Sequence, residues 1–161
     1  MSDMTLSNEY LQRFLELSHD PQTAGVFNTL YLCNTQSNNH RDVLELELLY
    51  RTSYPDEKVA RIRATDFLEA YLTAICGSLT EEFKNYYRSL DLLILEDVES
   101  ISGKPTVMET VYIIVDYLLE HQRHIVFTSS LLPRELALLE DRNRAQFEGC
   151  PICNLRDRFG M

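Results

Sequence analysis

Two carboxylates, Glu96 and Asp97, follow the aliphatic run Leu92-Leu93-Ile94-Leu95 without a break. Acids delivered by a buried strand suit phosphate chemistry: one holds Mg²⁺, often through water, and the next orients the water that attacks a phosphoryl group. The competing reading is structural, with both side chains capping the following helix or solvating a turn. A second pair, in Cys150-Pro151-Ile152-Cys153, has the spacing of half a zinc site. A closed site needs four ligands; the sequence has no second such pair, and His121 and His124 are not evident complements. No metal is therefore expected, and reduced thiols at Cys150 and Cys153 are favoured over zinc shared between two copies. A thioredoxin-like role is weaker again, because the pair does not open a helix after a strand.

The elements that must position these groups follow from spacing and punctuation. Leu6, Tyr10, Phe14 and Leu17 recur at helical intervals, with Ser7 as a cap and Asp20-Pro21 as the stop. Val26 to Cys33 is rich in β-branched and aromatic residues and is predicted as the first core strand, with a polar loop after it over 34–39. Apolar positions at 43, 44, 46, 48 and 49 predict a helix over 42–50, closed by Tyr54-Pro55. Alternating charged and apolar residues over 58–64 predict a strand near a sheet edge. Helices follow over 67–76, capped by Thr65 or Asp66 and ended by Gly77, and over 80–87. Residues 91–95 read as a strand buried on both faces. Pro105 opens a long amphipathic helix over 106–121, 124–128 is the next apolar strand, and Pro133 starts a last helix to about Arg142. Strands alternating with helices imply right-handed crossovers and a three-layer α/β/α fold with a mostly parallel sheet. In such sheets ligands gather outside the carboxyl ends of the strands. Glu96 and Asp97 lie on that rim, in the Walker B arrangement.

With 161 residues, 45% of them hydrophobic, the chain is the size of one domain and can bury a full core. It is expected to be a single unit over 1–161, with an N-terminal helical segment over 1–24 and a tail over 148–161. Fifteen Lys and Arg stand against 25 Asp and Glu, a formal charge of -10. A diffuse basic surface for duplex DNA is thereby excluded. Neither a signal peptide nor an apolar stretch of membrane-spanning length is present, so the protein is expected in the cytoplasm with its four cysteines reduced.

The run Glu81-Glu82-Phe83-Lys84-Asn85-Tyr86-Tyr87-Arg88-Ser89-Leu90-Asp91-Leu92-Leu93-Ile94-Leu95-Glu96-Asp97 closely resembles the approach to Walker B in the DnaA family of bacterial replication initiators, which are AAA+ ATPases. Ile125 to Leu136 resembles the family's sensor 1 strand and the start of the next helix, and Leu139-Glu140-Asp141-Arg142 resembles the opening of its box VII helix. The similarity covers roughly 29–147. It implies the base subdomain of a P-loop NTPase of the AAA+ class, with Glu96 and Asp97 as Walker B acids and Ser130 at the sensor 1 position.

Departures from the family pattern are concentrated where nucleotide would bind. The phosphate loop implied by the resemblance is Asn34-Thr35-Gln36-Ser37-Asn38-Asn39-His40-Arg41, without a glycine, with His40 in place of the Lys and Arg41 in place of the Thr. Side chains with a Cβ resist the positive-φ backbone that aims amides at phosphate, although Asn tolerates it better than most. Asn34, Ser37, Asn39, His40 and Arg41 remain the nucleotide-binding candidates. Glu96 is one methylene longer than the family's Asp, Ser130 supplies no charge, and Gln146, four residues beyond Arg142, takes the position of the arginine finger. Arg158 would take it in an alignment with an insertion near Cys150. The resemblance ends before the family's helical lid and helix-turn-helix domain, which are expected to be absent.

Single-stranded DNA would be gripped, in the family, by the helices over 65–89. Here Lys84 and Arg88 are opposed by Asp66, Glu69, Glu81 and Glu82, and Tyr71, Tyr86 and Tyr87 at helical spacing suit a core better than a stacking platform. DNA is an open but not a favoured partner. The expectation is a non-catalytic protein of replication initiation, without a cofactor, that contacts an initiator, a helicase or its own copies, with Arg142 and Gln146 at an interface. The alternatives are a divergent ATPase using ATP and Mg²⁺, and an inactive phage-borne fragment.

Overall fold

The computed structural model describes residues 8–33, 39–136 and 139–154. Helix α1 (Asn8–His19) buries Leu11, Phe14 and Leu15, the i, i+3, i+4 stripe of an amphipathic helix. A short helix α2 (Ala24–Phe27) precedes β1 (Thr29–Cys33). Next come α3 (Asn39–Ser53), β2 (Val59–Arg63), α4 (Ala64–Cys76), α5 (Thr80–Arg88) and β3 (Leu92–Glu96). After a 3-10 turn at Val98–Ser100 the chain forms α6 (Pro105–Glu120), β4 (His124–Ser129), a second 3-10 turn at Pro133–Glu135, α7 (Asp141–Glu148) and β5 (Ile152–Asn154).

All five strands are parallel, in the order β2-β3-β4-β1-β5. Because side chains alternate across a strand, each face of the sheet builds its own core. Leu30, Leu32, Leu92, Ile94 and Val126 meet α1 and α3 through Leu11, Phe14, Leu15, Val43, Leu46 and Tyr50. Tyr31, Leu93, Leu95, Ile125 and Phe127 meet α4 to α7 on the other side, where Phe147 of α7 closes on Tyr31 and Phe127. The expected three-layer α/β fold is what forms, and β2 stands at a sheet edge as its charged alternation implied.

Four local expectations are corrected. Val26 and Phe27 belong to α2 and not to the first strand. The Asp20 carbonyl takes the N–H groups of Thr23 and Ala24, and its side chain takes that of Gln22, which commits the chain to helical turns before β-propensity can act. Pro133 opens only a 3-10 turn: the Glu135 carboxylate accepts the Leu132 N–H at 2.7 Å and closes the turn on itself, so Leu136 is extended and a new helix begins at Asp141. Helix α4 starts at Ala64, which places Thr65 and Asp66 inside its first turn and not at a cap. Ile152 to Asn154, read as tail, pair with Tyr31 to Cys33 as an edge strand, and the Tyr31 N–H reaches the Pro151 carbonyl at 2.9 Å. The expected cap Ser7 lies outside the described residues.

Candidate functional site

The order β3-β4-β1 gathers the carboxyl ends of three strands on one rim, and the predicted catalytic positions meet there. Glu96 ends β3, and Ser130 directly follows β4, which runs between β3 and β1. Helix α3 starts beside this rim, with Asn39 and His40 in its first turn and Arg41 exposed. Asn34 and Ser37 lie outside the described residues, and of Asn39 and His40 only the backbone belongs to them.

Glu96 is not open to solvent. It is 3% exposed, on the same face as Leu92 and Ile94, beneath α3. Burying a carboxylate requires a partner, and β2 supplies one. Arg61 pairs in register with Ile94, so its side chain lies diagonally from Glu96 on that face. Its Nη1 donates to Glu96 Oε2 at 3.0 Å, and its Nε donates to Glu47 Oε1 of α3 at 2.6 Å. Arg51 adds a contact to Glu47 Oε2 at 2.9 Å. The result is a chain of alternating charge across α3, β2 and β3, with Glu96 at its buried end. Arg61 is pushed to a still higher pKa by the Glu47 hydrogen bond, against desolvation, with Glu96 contributing further.

Burial works to raise the Glu47 carboxyl, but the Arg61 and Arg51 hydrogen bonds outweigh it and hold the group below its ordinary 4.5. A carboxyl depressed in the folded state contributes stability that is present above the unfolded value and is lost as pH falls through the folded one. In urea titrations at a series of pH values, Glu47→Gln should therefore lower stability at neutral pH and flatten its decline below about pH 4.5. A variant whose acid limb is as steep as that of the unaltered chain would show that Glu47 carries no such linkage.

Asp97 is the first residue beyond β3. Its backbone is left-handed, φ 62° and ψ 50°, a conformation Asp tolerates better than most residues. Its N–H donates to the buried Thr128 Oγ1 at 3.0 Å, and the residue is exposed. Ser130 Oγ donates to Glu99 Oε2 at 3.3 Å, which ties the sensor position to the turn after β3.

The other candidate residues lie away from the rim chemistry. Arg142 contacts Glu109 and Glu140, both at 3.6 Å, and covers the Tyr112 ring. Gln146 turns inward and donates through Nε2 to the Tyr112 carbonyl at 3.1 Å, helping dock α7 on α6. Lys84 and Arg88 lie 3.7 and 3.9 Å from Glu81, and Arg88 also covers Tyr117. Tyr71 and Tyr87 are buried, whereas Tyr86 is about half exposed beneath Lys58. The Cys150 thiol is buried, donates to the Gln146 carbonyl at 3.3 Å and is pushed up to about 11 by burial, an environment opposed to thiolate. Cys153 lies in β5, its side chain outside the described residues, as is Arg158. Arg61 and Glu47 are what residue-by-residue reading missed. The alternation over 58–64 marked the strand but not the pair: Arg61 keeps 28% of its side chain exposed and finds Glu47 and Glu96 only once α3 and β3 pack beside it.

A five-stranded parallel sheet with its acidic strand end beside the helix that follows β1 is a doubly wound α/β domain with its candidate site on the carboxyl rim. The chain belongs to the family of the bacterial DnaA ATPase domain, whose profile matches residues 15–154. It is 33% identical over 102 residues to the chromosomal replication initiator protein DnaA of Symbiobacterium thermophilum, covering 63% of this chain and 22% of that protein. A DnaA structure bound to AMPPCP and single-stranded DNA superposes with a TM-score of 0.79 at 24% identity, over 91% of this chain and 44% of that one. A DnaI crystal structure matches with a TM-score of 0.70 at 15% identity, over 91% and 81%. The two structural likenesses bear on the fold alone. The chain spans about a fifth of the curated relative's length. Among the described residues, no helix is long and apolar enough to cross a membrane.

Proposed function

We propose that this chain is a nucleotide-independent DnaA-type base that works in bacterial replication initiation by docking to a protein, either an initiator, a helicase or another copy of itself. One observation carries the reading: the acid at the first Walker B position is buried and bonded to Arg61 at 3.0 Å. A resident guanidinium there does the charge neutralisation that Mg²⁺ would otherwise do, and Mg²⁺ needs carboxylate oxygens free to ligate it. The loop composition supports the same reading, because Asn34 to Arg41 offer neither glycine nor Lys to a triphosphate. A surface with net charge -10 favours a basic partner over nucleic acid.

Equilibrium binding of a fluorescent ATP analogue with Mg²⁺ tests the proposal. No saturation is expected up to about 1 mM nucleotide, a free energy weaker than about -4 kcal/mol. Micromolar affinity that falls on Asp97→Ala or His40→Ala would sink it and establish the second reading, a divergent ATP-binding domain. The exposed Asp97 carboxyl residue at the strand end favours that alternative.

A further inference from the structure

At the opposite, amino-terminal end of the sheet, three elements bring together side chains far apart in sequence. His19 ends α1, Glu57 lies in the turn between α3 and β2, and His124 opens β4. One donor atom from each lies within 4.8 Å of the other two. Independently of the functional reading above, we propose that His19, Glu57 and His124 bind a divalent transition-metal ion of the zinc class, which clamps α1 and the α3–β2 turn to the sheet.

The orientation of each ligand supports this. His19 Nδ1 lies 3.0 Å from the Leu15 carbonyl and 2.9 Å from Ser18 Oγ, and that hydroxyl already donates to the same carbonyl at 2.7 Å. The Nδ1 edge of the ring is thus held by the helix, and Nε2 is the nitrogen left facing Glu57. Orienting the ring through a backbone carbonyl is how metal-ligating histidines are held. His19 Nε2 is buried without a hydrogen-bond partner and lies 3.5 Å from Glu57 Oε2. A ring nitrogen and a carboxylate oxygen at that separation can hold a cation between them. With metal–ligand bonds of about 2.0–2.2 Å, adjacent ligands on a tetrahedral zinc ion stand about 3.4 Å apart.

Glu57 is oriented in turn by the buried Tyr50, whose hydroxyl donates to Oε1 and leaves Oε2 toward His19. His124 is 9% exposed, and its Nδ1 is buried with no hydrogen-bond partner. Tyr54, His19 and His124 form a stack with centroid separations of 3.7 and 4.4 Å, and His124 must turn out of that stack to aim an in-plane lone pair at an ion shared with His19. Two imidazoles and one carboxylate suit zinc, cobalt or nickel better than Mg²⁺ or Ca²⁺, which prefer all-oxygen ligands. His19 and Glu57 keep 19% and 29% of their side chains exposed, so an ion can enter and a water can complete the shell.

Co²⁺ added to the EDTA-stripped chain reads out the site directly. One Co²⁺ per chain is expected, with the visible absorption of a low-coordinate nitrogen and oxygen site, no thiolate charge-transfer band, displacement by Zn²⁺ and a raised Tm. Glu57→Gln should weaken binding by at least about 100-fold and Tyr50→Phe by about 10–100-fold. A Cys150→Ser/Cys153→Ser variant should bind like the unaltered chain. Should Glu57→Gln fail to fold, imidazole ¹⁵N shifts of the unaltered chain decide, since Zn²⁺ should move resonances of both His19 and His124. A thiolate band, unchanged affinity in a folded Glu57→Gln chain, unmoved imidazole resonances or no binding at millimolar Co²⁺ would each overturn the site.

Discussion

Arg61→Ala is expected to destabilise the fold by about 3–5 kcal/mol, because it removes the guanidinium that neutralises a buried carboxylate. Glu96 is 3% exposed and Arg61 Nη1 sits 3.0 Å from its Oε2, whereas Glu47 would keep Arg51 at 2.9 Å. The loss therefore traces to Glu96. Adding Glu96→Gln in the Arg61→Ala background should recover a large part of it, since a neutral amide needs no guanidinium to offset its burial. Urea unfolding of the two single variants and the double variant forms a cycle that isolates the coupling. A loss below about 1 kcal/mol for Arg61→Ala, or no recovery in the double variant, would mean that Glu96 does not depend on this guanidinium.

Phe147→Ala should cost a similar amount, about 3–5 kcal/mol. Its ring is fully buried, 4.7 Å from the Phe127 centroid and 5.9 Å from that of Tyr31, both edge-on. Truncation removes both contacts and opens a cavity between α7 and the sheet, where Asn143 and Gln146 also bond to backbone carbonyls of α6. Domain stabilities are typically about 5–15 kcal/mol, so the variant should melt far below the unaltered chain. A Tm within a few degrees of the original would show that α7 is not part of the cooperative unit.

Much of this architecture was legible in the sequence because the signals were local. The aliphatic run before Glu96, the charged alternation in β2 and Pro105 at the head of α6 each state their element within a few residues. The family resemblance was strongest where those signals were densest, from Glu81 to Asp97. What was not legible depended on partners distant in the chain. Strand β5 has three residues, too few for a period, and exists only because β1 offers it a ladder. The pairing of Arg61 with Glu96 spans 35 positions, and its meaning depends on α3 lying above both. His19, Glu57 and His124 carry no spacing signature at all; parallel topology alone assembles them. Pro133 misled for the opposite reason, since its start signal was sound but Glu135 closed the turn locally.

The left-handed bend at Asp97 separates two properties that usually travel together. What stops β3 and launches the next turn is the main-chain corner, and Asn or Gly can hold such a corner as well as Asp. Replacing Asp97 by Asn or Gly therefore removes the carboxylate while leaving the corner in place, so charge and shape at this residue are separable.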